Sequence, residues 1–146
     1  MAQPNPLDIL NRLYALHFRS LPNYLASAPP WSPTADSPAQ TALRHISADQ
    51  RTMADRIASV ITEHGGNVAP SEFPMEFTGL HDLSLEYLIP QIRDRLEREA
   101  DYIRQSVAQL KDAPAPKAIA EEALGAALAH LDNLKDLQRP TLGIAH

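Results

Sequence analysis

Four polar residues fall on helical faces that should otherwise be apolar: His17, Gln50, Glu99 and His130. A polar group in a core stripe is costly unless it is paired, so each exception points to a ligand or a hydrogen-bond partner. Two imidazoles and a carboxylate, here His17 and His130 with Glu99 or Glu97, can hold a single zinc or iron(II) ion. The same residues can instead form a hydrogen-bonded layer around buried water that fixes helix register without an ion. The chain has no cysteine, so disulfides, thiolate metal sites and thiol nucleophiles are excluded.

The elements that must position these side chains are read from turn chemistry and periodicity. Asn5-Pro6-Leu7-Asp8 and Ser37-Pro38-Ala39-Gln40 are helix starts, each with a capping residue followed by proline in the first turn. The breaks are Ala28-Pro29-Pro30-Trp31-Ser32-Pro33, Gly65-Gly66, and Ala113-Pro114-Ala115-Pro116, with Pro140 ending the last apolar stripe. The expectation is an all-α single domain over residues 1–146, with helices over about 6–27, 38–64, 80–111 and 116–138. Pro22 and Pro90 lie inside expected helices, where each should free the carbonyl four residues back and promote a kink. The second connection is much longer than the others. From Asn67 to Thr78 it could reach about 40 Å at roughly 3.3 Å per residue, as far as a helix of about 27 residues spans at 1.5 Å each. Short, long and short connections predict a four-helix bundle with one long crossover between helices 2 and 3. In that topology His17, Gln50 and His130 share one level. On the third helix Asp94 lies about 200° from Ile92 and should face water; Glu97 or Glu99 is left to add a carboxylate.

This layout resembles the ferritin-like superfamily, on its bacterioferritin and rubrerythrin side. The resemblance covers nearly the whole chain through helix order, crossover and register. It implies a di-metal site built from one Glu on each of two helices and a Glu-x-x-His on each of the other two. Carried over by position, the first helix's carboxylate becomes His17. The first Glu-x-x-His becomes Gln50-x-x-Met53, and the second becomes Ala127-x-x-His130. The former di-metal positions are therefore His17, Gln50, Met53, Ala127 and His130, too few ligands for a bridged metal pair. The resemblance implies lost di-iron chemistry and a non-catalytic binding or structural protein of undefined role, more an ex-enzyme than an enzyme. The alternative is a mononuclear metal enzyme, DinB-like or an oxidoreductase, using His17 and His130, with His45 as the nearest third histidine. No cofactor is the first expectation; a single Zn or Fe ion goes with the alternative.

Composition narrows the partners. With 18 acidic and 13 basic residues the net charge is −5, and charges are mixed along the helices, which disfavours nucleic acid. No basic leader and no membrane-length apolar run is seen, so a cytoplasmic protein without membrane attachment is expected. Trp31, Phe73, Met75 and Phe77 lie in connections, where they either cover the bundle ends or make a surface for a homo-oligomer, a dimer being simplest. Tyr14 and Tyr24 flank His17 and could donate to the polar layer or, less commonly, serve in radical chemistry. His45 and Asp49 are spaced i,i+4, which can make a metal half-site and more often makes a surface pair. His64 suits a helix C-terminus, His81 and His146 look incidental, and residues 141–146 read as a frayed tail.

Overall fold

A computed structural model describes residues 5–30, 37–69 and 72–138. Over these residues the protein is all-α, with helices α1 (Pro6–Phe18), α2 (Leu21–Ser27), α3 (Pro38–Glu63), α4 (Leu85–Gln109) and α5 (Pro114–Gln138) and no strand. Trp31, His146 and the rest of the expected tail lie outside the described residues. No described helix is long and apolar enough to cross a membrane.

The helix expected over 6–27 is two helices, and Pro22 is the reason. In a continuous helix Pro22 could not donate to the Phe18 carbonyl, and its ring would press on that turn. The chain instead becomes extended at Ser20 (φ −71°, ψ 160°) and starts again. Ser20 Oγ caps the new helix by accepting the Asn23 N–H at 3.2 Å. Asn23 Nδ2 then supplies the missing donors, at 2.8 Å from the His17 carbonyl and 3.1 Å from that of Phe18.

The other boundaries follow from similar chemistry. α3 starts on Ser37, whose Oγ accepts the Gln40 N–H at 3.1 Å. It ends with Gly66 N–H donating to the Ile61 carbonyl at 2.9 Å and Gly65 N–H to that of Thr62 at 3.0 Å. Gly65 has φ 81°, the left-handed conformation this ending requires. His64 caps the helix, with Nδ1 2.9 Å from the Val60 carbonyl. α4 begins at Leu85 rather than near 80, because Gly79 (φ 88°) and a 3₁₀ turn over Leu80–Asp82 precede its Ser84 cap. It runs through Pro90 without a break. Pro114 and Pro116 do not delay α5; they occupy its first turn, where no N–H is needed.

α1 and α2 lie along α3, α4 lies along α5, and α3 also meets α5. The α3–α5 pair is antiparallel: Arg56 meets Glu122 at 2.7 Å, and Asp49 meets His130 at 2.7 Å. The chain between α3 and α4 passes along α1 and then α2. Asn11 exchanges hydrogen bonds with the Asn67 carbonyl (3.0 Å) and the Ala69 N–H (2.8 Å), and Tyr24 meets Phe73, Phe77 and His81. Between the helices, Leu10, Leu13, Leu21, Ile57, Leu88, Leu96 and Ile103 are fully buried. Burying a side chain of this size contributes about 1.5–3 kcal/mol.

Candidate functional site: a polar layer between four helices

Across this apolar core runs one polar level. His17 on α1, Asp49, Gln50 and Met53 on α3, Glu99 on α4, and Ala127 and His130 on α5 line a cavity of about 10 Å³. That is about the volume one water molecule needs.

His17 is buried, and its Nδ1 is 2.8 Å from the Leu13 carbonyl. A carbonyl only accepts, so Nδ1 carries the hydrogen. Burial lowers the His17 pKa, working against the Leu13 bond and the charge of Asp49, with nearby His130 lowering it further. At neutral pH the ring is therefore neutral and Nε2 keeps a free lone pair. A backbone carbonyl on the other ring nitrogen is one of the ways metal-binding histidines are oriented.

His130 is also buried, but its Nε2 is engaged at 2.7 Å by Asp49 Oδ2, whose side chain is 42% exposed. Glu99 makes no hydrogen bond among the described residues. Burial pushes its carboxyl up to about 8, against the pull of Arg95 and Arg98. Arg95 is occupied elsewhere, 3.1 Å from Glu76 and 4.8 Å above the Phe77 ring. Glu99 is thus largely protonated at pH 7, and the layer holds little negative charge.

The remaining polar groups are tied to one another. Ser20 Oγ donates to Gln50 Oε1, and Ser47 Oγ donates to Asn23 Oδ1 at 2.7 Å. Through Asn23 these bonds reach the His17 carbonyl. The helix break at Ser20 and the polar layer are one hydrogen-bonded unit.

Of the residues expected from sequence, the structure brings His17, Gln50, Met53, Glu99, Ala127 and His130 together. Glu97 is not among them: it is exposed, with a carboxylate oxygen 3.6 Å from Arg93 Nε. His45 is exposed on a surface groove, and its expected partner Asp49 has turned to His130. Tyr14 stacks on Phe18 with centroids 5.4 Å apart, and Tyr24 Oη lies 3.3 Å from His81 Nδ1, so neither donates to the layer. Asp49, Ser20, Asn23 and Ser47 were missed. Pro22 was the available signal for three of them, because a broken helix must find new donors nearby. Among the described residues, no three His, Asp or Glu side chains converge closely enough as they stand to hold a metal ion.

No family model, curated protein or solved structure matches this chain.

Proposed function

We propose that this chain is a ferritin-like four-helix bundle, its long crossover joining α3 to α4, that has given up paired-metal chemistry and acts as a non-catalytic binding or structural protein. The observation that carries this reading is the use now made of the former ligand positions. Gln50 is committed to Ser20, His130 to Asp49, and Met53 and Ala127 are core residues around a cavity sized for one water. A bridged metal pair needs several ionised carboxylates; the layer offers Asp49, already paired, and Glu99, held neutral. Exposed Met75 (89%) and Phe73 (38%) support self-association as a dimer, whereas Phe77 is buried.

One observation favours a second reading. The free Nε2 of His17 and the unpartnered carboxyl of Glu99 line the same cavity, a start toward a single-ion site completed by His130 if Asp49 releases it. Elemental analysis of protein purified without chelators separates the two. The first reading expects substoichiometric zinc, iron and manganese and unchanged thermal stability on chelation. Stoichiometric metal that disappears in His17→Ala/His130→Ala protein would overturn it in favour of the second.

A further inference from the structure

A larger space opens on the other side of Glu99. This pocket, about 480 Å³, lies between α1, α4 and the chain leading into α4. Its volume falls within the roughly 300–1,000 Å³ typical of small-molecule sites. Ala15, Leu16, Pro74 and Tyr102 make most of its wall apolar, with the buried Phe77 beneath.

Its charge is opposite to that of the whole chain. Arg12, Arg19 and Arg95 line it in a protein whose net charge is −5. Arg95 is neutralised by Glu76 and lies over the Phe77 ring. The other two guanidinium groups are uncommitted. Arg12 makes no hydrogen bond or ion pair among the described residues, and Arg19 has a single long contact, 3.5 Å to the Glu72 carbonyl. Even with Glu99 counted as ionised, one positive charge is left uncompensated beside apolar wall. Arg12 and Arg19 are exposed and so stand at the mouth, with the apolar residues behind them.

We propose that this pocket binds a small organic acid, its single carboxylate held at the mouth by Arg12 and Arg19 and its apolar body against Leu16, Pro74 and Tyr102. A guanidinium fork matches a carboxylate in shape as well as charge. A cation would meet repulsion from the arginines. A nucleic acid would need a basic stripe where this surface has one recess. The inference gives the binding role above a ligand class, and its failure would leave the metal-free bundle untouched.

Calorimetric titration tests it with 4-phenylbutanoate, the neutral 4-phenylbutanamide, acetate and inorganic phosphate. The expected result is one site for 4-phenylbutanoate with Kd below about 1 mM, and binding of the amide weaker by about tenfold or more. Acetate and phosphate should not saturate. Arg12→Gln/Arg19→Gln, two exposed substitutions checked for folding by circular dichroism, should weaken the acid about tenfold and leave the amide unchanged. The proposal is overturned if 4-phenylbutanoate does not bind, if the amide or phosphate binds as tightly, or if the double variant binds the acid normally.

Discussion

Glu99 should make this protein less stable as pH rises through neutrality, and Glu99→Gln should remove that loss. Burial pushes the folded-state carboxyl from its ordinary 4.5 to about 8. Below pH 4.5 both folded and unfolded chains carry the proton, and Glu99 has no pH-linked effect. Between 4.5 and 8 the unfolded chain releases the proton while the folded chain keeps it, so folding must take one up and stability falls with pH. Above 8 both states are ionised and the loss stays constant. Fully expressed, a displacement from 4.5 to about 8 corresponds to about 5 kcal/mol. Part of that loss is already expressed at pH 5 and part is still to come at pH 8.5, which leaves about 4 kcal/mol between the two. Glutamine keeps the shape of the neutral carboxyl and cannot ionise. Urea unfolding of both proteins at pH 5, 7 and 8.5, with chelator present, isolates the contribution, because every other titrating group cancels in the difference. The stability advantage of Glu99→Gln should grow by about 4 kcal/mol from pH 5 to 8.5, or about 2 M in urea midpoint for a chain of this size. A constant difference, or one that shrinks with pH, would refute the claim that Glu99 is held neutral by burial.

Two other substitutions test how the layer and its helices are held. Asn23→Ala removes the donors to the His17 and Phe18 carbonyls and the acceptor for Ser47, all at the buried helix break. Equilibrium unfolding should show a loss of about 2–4 kcal/mol, and a loss below about 1 kcal/mol would mean that water replaces these bonds. Gly65→Ala places a side chain at φ 81° with nothing nearby for it to touch. It should cost about 1 kcal/mol through backbone strain alone, read as a lower thermal midpoint with an unchanged circular dichroism spectrum.

Which parts of this were legible in the sequence depended on how locally they are encoded. The caps at Asn5 and Ser37 and the Gly65-Gly66 stop are written in adjacent residues, and the structure uses each of them as such. At Pro22 the sequence predicts only a bend, because proline tells where a helix is weakened and not whether nearby donors make a full break cheaper. Those donors, Ser20 and Asn23, look like ordinary surface residues until the break turns them inward. Periodicity placed Glu99 inside and left Glu97 open; the structure decides for Glu99. Periodicity could not show that Asp49, one position beside the inward Gln50, would cross to His130 on a helix 81 residues away. A pairing between helices depends on their spacing, which no local pattern carries. Phe73, Met75 and Phe77 were equally ambiguous. Only the 3₁₀ turn over Met75–Phe77 decides that Phe77 enters the core while Met75 stays in water.

The break and the layer also bear on one another causally. In a bundle that holds two metal ions, clustered carboxylates repel, and the ions supply the charge that keeps them together. Here the level is closed by other means. Pro22 weakens the helix, Ser20 and Asn23 make a full break there favourable, and these two hold Gln50 and the His17 carbonyl. His17 is oriented by its own helix through Leu13, and Asp49 gives His130 a partner from α3. Each of these bonds is complete without a cation, and the one carboxyl left over is kept neutral by burial. A layer so arranged has little charge for an ion to balance, and any ion entering it must displace the Glu99 proton or compete with Asp49 for His130. Zinc added to the metal-free protein should therefore bind weakly below pH 7 and more tightly above pH 8, as that proton leaves.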